Sequence, residues 1–491
     1  MKIKFFLGLF VAITFGLAFG QSLVSIGQAT REFAFNNFSN IHNLQPIASN
    51  YLSNINFWKN DNKKELGGDS TQFDATSTNA VFEDFPSNEP DATSTGKISE
   101  DLTIPKEGKA IVANLESMKL DLYEDGKIKN TFDILGKGRP GTAWETPPGA
   151  FEILYKKENH FSTIGKVWMP FSMQFFGNYF IHGWPYYPDG TPVAEGYSGG
   201  CIRLANSDME KVYDFGEVGT KTILLGTTEN TISFNEKGVY STKKGARFPK
   251  VTSKAYMVAD LESGNVIASY GEKKQLPIAS LSKMMTALVS LETVNQYKET
   301  KVSRTAYGTY GDQGNLSAGE KLKTSELLYP LLLESSNDAA EVLAEFAGRN
   351  TFIKNMNDKA VSIGLFNTKF EDPSGLSKNN VSTAEDLFKL ARYIFKYKSY
   401  IFEITKLKDY TNEKHTHTWY SNSRFRNDEN YLGGKNGYTD EAHHTLVTLV
   451  ELPLGEFQKR KIAIIILDSE KTEPDARAII LYLLKNVYYT E

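Results

Sequence analysis

The sequence predicts a multidomain chain in which a β-rich domain is followed by an α/β domain. Three observations carry this expectation. At 491 residues the chain exceeds what one ordinary core holds. Period-two alternation of apolar residues prevails up to about residue 227, whereas helical runs flanked by strands prevail after about residue 254. Polar stretches rich in Ser, Thr, Asn and Gly separate these blocks, at about 61–100 and again at 228–252.

Lys2 and Lys4 precede an apolar run from Phe5 to Gly20, broken only by Thr14 and ending in the small residues of Ala18-Phe19-Gly20. Residues 1–22 therefore read as a signal peptide, or as an N-terminal anchor if Leu23, Val24 and Ile26 extend the run. Either way the remaining chain is exported to the cell envelope, and any membrane attachment comes through this segment. Residues 23–102 are unassigned and read as a flexible polar region, in which Asp74-Ala75-Thr76-Ser77-Thr78 recurs as Asp91-Ala92-Thr93-Ser94-Thr95.

Residues 103–227 form the first domain, in which Ile111, Ala113, Leu120 and Leu122 alternate with their neighbours. Asp125-Gly126 then turns the chain into Ile128–Ile134, a hairpin signal. Another strand-like run, Phe151–Tyr155, follows Pro147-Pro148-Gly149. A linker is expected over 228–253. In the second domain, 254–491, a strand pair (Tyr256–Ala259, Val266–Tyr270) precedes helical patterns at Lys283–Leu291, Ser325–Leu333, Asp338–Phe346 and Ala384–Phe395. Strands return at Thr445–Leu452 and Lys461–Leu467, and a helix closes the chain from Pro474, which suggests a sheet covered by a helical insert.

Composition excludes several function classes. Lys plus Arg is 55 and Asp plus Glu is 59, a net charge of −4, so no basic excess marks a nucleic-acid binder. One cysteine allows neither a disulfide framework within the chain nor a multi-cysteine metal site. His415 and His417, and the adjacent His443 and His444, lack the helical spacing of a zinc protease. No metal and no organic cofactor is implied.

The single cysteine, Cys201, lies in Ser198-Gly199-Gly200-Cys201-Ile202-Arg203-Leu204, with His182-Gly183 upstream at the end of Tyr179-Phe180-Ile181. A free cysteine is more often a small buried hydrophobe. Here two glycines strip side chains from its approach, and an idle thiol in an exported chain is exposed to oxidation. An imidazole nearby can draw off the thiol proton to make a nucleophile. These residues, with Asn114-Leu115, Thr146-Pro147-Pro148-Gly149-Ala150-Phe151, Asp208 and Gly219-Thr220, resemble the L,D-transpeptidase family of peptidoglycan cross-linking enzymes over roughly 109–226. The resemblance implies Cys201 as nucleophile, His182 as its base and Arg203 as a substrate or structural contact. Many family members carry His where this chain has Gly199.

A second constellation begins at Ser280-Leu281-Ser282-Lys283, where Lys283 lies one helical turn beyond Ser280 on the same face. The helix N-terminus there favours developing negative charge, and a lysine serves as base once burial or a second cation lowers its pKa. Ser335-Ser336-Asn337 and then Lys435-Asn436-Gly437 follow. Ser-x-x-Lys, Ser-x-Asn and Lys-Thr-Gly in this order mark penicillin-binding proteins and serine β-lactamases. With Asp372-Pro373-Ser374-Gly375-Leu376 and Tyr438-Thr439-Asp440-Glu441-Ala442, the chain is similar to the D-alanyl-D-alanine carboxypeptidases over about 254–491. The resemblance implies a β-lactamase-like α/β fold, with Ser280 as acyl-ester nucleophile and Lys283 as proton acceptor. It further implies Ser335 and Asn337 as relay and substrate contact, Lys435 as electrostatic anchor, and Asn436 in place of the threonine that meets a terminal carboxylate. His443 stands where glycine is usual and is expected to narrow the cleft edge.

Together the resemblances imply a bifunctional enzyme whose partners are peptidoglycan stem peptides, with β-lactams as covalent inhibitors. The serine domain would trim pentapeptides to the tetrapeptides that the cysteine domain uses as acyl donors. Two alternatives stand beside this. Gly199, Asn436 and His443 suit a catalytically weak wall-binding or β-lactam-sensing protein, and the serine motifs also occur in β-lactamases, although no Glu-Leu-Asn signature follows the second motif.

Overall fold

A computed structural model of the chain describes residues 104–226, 239–311, 314–455 and 458–490. The signal or anchor reading of 1–22, the polar region up to 103 and the first part of the expected linker lie outside these residues. Ser94–Glu491 is one compact unit holding both domains.

In the first domain β1 (Lys109–Asn114), β2 (Lys119–Glu124) and β3 (Lys127–Asp133) form a meander. Its second turn places both Asp125 and Gly126 at positive φ, as the right-handed twist of a two-residue hairpin requires. Then come β4 (Gly149–Glu152), β5 (Tyr155–Ser162), β6 (Val167–Phe176), β7 (Tyr179–His182) and β8 (Ile202–Arg203). Helix α1 (Asn206–Phe215) and β9 (Lys221–Leu225) complete the domain. The strands make a five-stranded sheet, ordered β3-β2-β1-β9-β4, and a four-stranded sheet, ordered β5-β6-β7-β8. The inward-facing residues of both sheets, among them Ile111, Leu120, Leu122, Met173, Phe175 and Ile181, join Met209 and Val212 of α1 in one core.

Residues 239–253, read from sequence as linker, belong to the second domain. Val239–Thr242 forms β10, and the Thr252 hydroxyl donates to Asp475 at 2.7 Å. The alternating Val239-Tyr240-Ser241-Thr242 is too short to announce a strand by itself, and its partner lies at the far end of the chain. The central sheet then begins with β11 (Ala255–Asp260) and β12 (Val266–Tyr270). Six short strands form three two-stranded ribbons: β13 (Leu276–Pro277), β14 (Glu299–Lys301), β15 (Lys321–Lys323), β16 (Val381–Ser382), β17 (Asp409–Thr411) and β18 (Thr418–Tyr420), paired β13–β16, β14–β15 and β17–β18. Among them lie α2 (Ser282–Thr293), α3 (Arg304–Tyr307), α4 (Asn337–Phe346), α5 (Arg349–Ser362), α6 (Ala384–Tyr397) and α7 (Tyr400–Lys406). The sheet is completed by β19 (Tyr431–Thr439), β20 (His443–Leu452) and β21 (Arg460–Ser469), and the chain closes with α8 (Thr472–Asn486) and β22 (Val487–Thr490), the partner of β10.

The five-stranded antiparallel sheet runs β12-β11-β21-β20-β19 and is covered on both faces, which is why Ile462–Leu467 is a continuous apolar run. Alternation sends Ala463, Ile465 and Leu467 to the helical side, with α2 and α4–α7, and Ile462, Ile464 and Ile466 to the side covered by α8. Nearly every residue of α2 is buried, so it is the central helix of the insert. The expected helix Ser325–Leu333 is largely replaced by a wide π-type turn over Pro330–Glu334, which Pro330, having no N–H to continue an earlier helix, opens.

A buried ion pair ties α2 to α5. Lys359 and Glu292 side chains have no exposed surface, with Nζ 2.9 Å from Oε2, and Lys359 Nζ also donates to the Tyr393 hydroxyl at 2.9 Å. The ammonium faces the rings of Phe151 and Phe176 of the first domain at 5.7 and 5.4 Å. Lys359→Ala leaves the Glu292 carboxylate without its cation and is expected to cost about 3–5 kcal/mol of stability in urea unfolding. A loss below ~1 kcal/mol would mean that water reaches the carboxylate and that the pair is not a structural joint.

Candidate active sites

The serine site forms where α2 meets the edge of the central sheet. Ala279–Leu281 makes a tight 3₁₀ turn leading into α2, with Ala279 at φ 48°. One turn further on, Lys283 is fully buried. Its Nζ lies 2.9 Å from Ser280 Oγ, 2.7 Å from Asn337 Oδ1 and 2.6 Å from the Ser374 carbonyl. The amide and carbonyl oxygens accept only, so a neutral amine spends both protons on them and turns its lone pair to the Ser280 hydroxyl. Burial, and then the nearby Lys435 charge, push the Lys283 pKa well below the ordinary lysine range. The geometry and the electrostatics thus agree on a base.

Asn337 opens α4 and is oriented by donating Nδ2 to the Tyr310 carbonyl at 2.6 Å. Ser335, just before it, is held at φ 67°, a left-handed conformation uncommon for serine. Its Oγ accepts from Lys435 Nζ at 2.9 Å. Lys435 also donates to the Asn436 carbonyl at 2.8 Å, and burial brings its pKa down to about 7. Lys435, Asn436 and Gly437 lie within β19 itself, at the edge of the sheet. A Cβ on Gly437 would come within 2.7 Å of the Ser280 nitrogen, so only glycine lets the strand approach Ser280 this closely. The open edge of β19 can pair with an extended peptide laid past Ser280. The cleft, about 1300 Å³, is lined by Ser280, Ser335, Asn337, Lys435 and Asn436, and reaches Tyr438, His444 and Lys471. His443 does not narrow it: the imidazole bonds Asp468 at 2.7 Å, and His444, its ring tilted against Tyr438 with centroids 4.7 Å apart, takes the place on the cleft wall.

The cysteine site lies at the β7–β8 edge. Ile181 pairs with Ile202 and His182 with Arg203 in parallel register, so alternation puts His182, Arg203 and Cys201 on one face of the sheet. His182 Nδ1 is 2.6 Å from the Gly183 carbonyl. A carbonyl only accepts, so Nδ1 carries the proton and Nε2 is left as a base. Ser198 Oγ donates to the Cys201 carbonyl at 2.6 Å and accepts from the Gly200 amide at 3.0 Å, shaping the turn. Gly200 has φ 108°, and a Cβ there would lie 2.1 Å from the Tyr179 ring, so the turn admits no side chain. Burial pushes the Cys201 thiol up to about 11, opposed by the Phe180 backbone and the Arg203 charge. Burial holds the His182 imidazole down to about 3. The resting thiol and the resting imidazole are thus both neutral. Arg203 stands over the Trp184 ring at 5.7 Å and supplies the nearby positive charge.

The structure brings Ser280, Lys283, Ser335, Asn337, Lys435 and Asn436 into one cleft, and Cys201, His182 and Arg203 onto one sheet face at a separate site. Sequence reasoning missed the Ser374 and Tyr310 carbonyls, because a main-chain acceptor has no residue signature. It named Thr146 only within a motif and gave no sign of its contact: the hydroxyl donates to the Gly200 carbonyl at 2.9 Å. Among the described residues no cluster of His, Cys, Asp and Glu is placed to hold a metal ion, and no helix is long and apolar enough to cross a membrane.

Comparison with known proteins matches residues 108–224 to the L,D-transpeptidase catalytic domain and residues 242–466 to the D-alanyl-D-alanine carboxypeptidase family, peptidase S11. A D-alanyl-D-alanine endopeptidase of Haemophilus influenzae is 38% identical over 146 residues, 29% of this chain and 50% of that protein. The chain thus spans half of that relative's length. An Escherichia coli D-alanyl-D-alanine endopeptidase is 31% identical over 234 residues, 45% of this chain and 73% of the relative. A crystal structure of D-alanyl-D-alanine carboxypeptidase from Mycobacterium tuberculosis shares 25% identity at a TM-score of 0.45, covering 50% of this chain and 94% of that one.

Two pH responses follow from these sites. The Lys435 ammonium is present below about pH 7 and lost above it, so kcat/KM for a carboxylate-bearing substrate is expected to fall as pH rises through that value. Lys435→Arg, which stays charged, should move the descending limb to higher pH; an unmoved limb would assign it to another group. At the second site, a thiol titrating at about 11 should be alkylated by iodoacetamide about tenfold faster per pH unit between roughly pH 7 and 9. A rate already at its plateau near neutrality would reveal a thiolate–imidazolium pair instead.

Proposed function

We propose that this chain, which belongs to the D-alanyl-D-alanine carboxypeptidase family and carries an L,D-transpeptidase catalytic domain ahead of that region, is an exported enzyme that modifies peptidoglycan stem peptides at two sites in series. The observation that carries the reading is Lys283, buried and bonded to Ser280 Oγ at 2.9 Å with its other hydrogen bonds spent on acceptors.

At the serine site, Ser280 Oγ attacks the carbonyl of the penultimate D-alanine while its proton passes to Lys283 Nζ. The C–N bond to the terminal D-alanine breaks, the amine leaves with a proton, and water hydrolyses the acyl-ester to the tetrapeptide. Lys435 and Asn436 on β19 face the terminal carboxylate, the former as a charge and the latter as an amide donor. At the cysteine site, Cys201 Sγ attacks the carbonyl of the third stem residue of that tetrapeptide. His182 Nε2 takes the thiol proton during the attack, since the resting thiol is neutral, and passes it to the leaving D-alanine. An amine or water then resolves the thioester, with Arg203 holding charge nearby.

An endopeptidase variant of the serine reaction is favoured by one feature of the cleft. At about 1300 Å³ it extends past the nucleophile to Tyr438 and Lys471, with room for a second stem beyond the scissile bond. In that variant the bond broken links D-alanine to a neighbouring stem.

The test is mass spectrometry of muropeptides incubated with the full chain. Pentapeptide is expected to pass through tetrapeptide to the Cys-site product. Ser280→Ala should halt at pentapeptide and be rescued by added tetrapeptide, and Cys201→Ala should stop at tetrapeptide. Wild-type product formation from pure pentapeptide by Ser280→Ala would show that the sites do not act in series. Cleavage of a cross-linked dimer faster than of pentapeptide would select the endopeptidase variant.

A further inference from the structure

The two domains meet at the wall of the cysteine site. The segment between β3 and β4 carries Trp144 and Thr146. Thr146 Oγ1 accepts from the Gly138 amide at 2.9 Å and donates to the Gly200 carbonyl at 2.9 Å, bracing the turn that presents Cys201. The Trp144 carbonyl packs against the same turn, 3.1 Å from where a Cβ on Gly200 would lie.

The outer side of this segment is held by the serine domain. Lys398, at the C-terminal end of α6 and 1% exposed, donates Nζ to the carbonyls of Ala143 at 3.0 Å and Glu145 at 2.7 Å, on either side of Trp144. The Trp144 ring stacks on Tyr297 with centroids 5.9 Å apart and planes 15° from parallel. The Tyr393 hydroxyl donates to the Pro148 carbonyl at 3.3 Å. Lys398 Nζ also lies 5.9 Å from the Tyr179 ring, the ring against which Gly200 is packed.

The opposite wall is anchored from the same domain. Asn178, in the β6–β7 turn, accepts from Cys201 Sγ through its carbonyl at 3.7 Å and donates Nδ2 to the Thr293 carbonyl at 2.9 Å. Thr293 ends α2, the helix whose beginning carries Ser280 and Lys283. A buried ammonium is costly to desolvate, and Lys398 directs its hydrogen bonds to main-chain carbonyls of the other domain, where it fixes geometry.

We propose that the serine domain is a structural part of the cysteine site, with Lys398 a positioning residue that holds the Ala143–Thr146 segment where the Cys201 turn requires it. This rests on the reading of Cys201 as a nucleophile. Docking, and not tethering alone, then makes the L,D-transpeptidase reaction depend on the second domain, through two contacts that flank the thiol.

The experiment uses the full chain and compares wild type with Lys398→Met, Lys398→Arg and Tyr297→Ala. Release of D-alanine from pentapeptide at the serine site serves as the folding control. In Lys398→Met, kcat for the Cys201-dependent reaction on tetrapeptide should fall about tenfold or more with KM little changed, as a displaced catalytic wall predicts. Alkylation of Cys201, the one thiol of the chain, should change in rate by about tenfold in the same variant, with Lys398→Arg restoring much of both. Tyr297→Ala should lower kcat in the same direction by a smaller factor. Unchanged kcat and unchanged alkylation in Lys398→Met, with D-alanine release intact, overturn the proposal. If Lys398→Met also loses D-alanine release, Tyr297→Ala decides: reduced Cys-site turnover with intact release supports the proposal, and unaltered turnover overturns it. Should wild type show no Cys201-dependent turnover, the catalytic reading fails while the alkylation rates still report whether Lys398 positions the thiol.

Discussion

A lysine buried without a carboxylate against it governs the serine cleft. Lys283 has no exposed surface, and its amine reaches Ser280, Asn337 and the Ser374 carbonyl, which belong to three separate segments. Each segment must arrive in register, or a buried donor is left unmade at a cost of about 1–3 kcal/mol. The Ser374 turn is itself wound around Asp372, whose Oδ1 accepts from the Ser374 and Gly375 amides at 2.7 and 2.6 Å. Asn337 is turned by the Tyr310 carbonyl so that its oxygen, and not its nitrogen, faces the lysine. The same desolvation that makes the site hard to assemble is what lowers the lysine pKa and readies it as a base.

Buried amines recur where the domains meet. Lys359 is neutralised by Glu292 and faces aromatic rings of the first domain, whereas Lys398 is satisfied by main-chain carbonyls. The interface therefore combines an ion pair of the second domain, whose loss exposes a charge to an apolar surround, with directional hydrogen bonds between the domains. An apolar interface of the same size would resist separation but permit sliding. Hydrogen bonds from a planted ammonium to named carbonyls do not.

On the proposed reading, the Ser280 and Cys201 sites are prepared in opposite ways. Around Ser280 the base is made ready by lowering a cation's pKa, so the proton acceptor exists before substrate binds. Around Cys201 the thiol is raised to about 11 and the imidazole lowered to about 3, so both groups rest uncharged. A thiol kept protonated is also a poor target for oxidants, which act on thiolates. Both arrangements come from burial, which penalises whichever form is charged.

The candidate sites were legible in the sequence because they are written in short, ordered motifs. Ser280 and Lys283 are a helical turn apart, and local geometry alone puts them on one face. His182 and Cys201 lie at the ends of runs whose alternation already announces strands. The Asp125-Gly126 hairpin and the doubly covered run Ile462–Leu467 are local in the same way. Tertiary structure alone decided the rest. It placed Lys435-Asn436-Gly437 inside an edge strand and drew Val239–Thr242 into the second domain by pairing with the last residues of the chain. It also opened a wide turn at Pro330 and put Lys398 against the wall of the other site. The reason is physical: backbone carbonyls such as those of Ser374, Ala143 and Glu145 carry no side-chain identity. Nor is burial, the largest influence on the pKa of Lys283, Lys435, Cys201 and His182, a property of a residue or its neighbours in sequence; it depends on what distant segments pack over it.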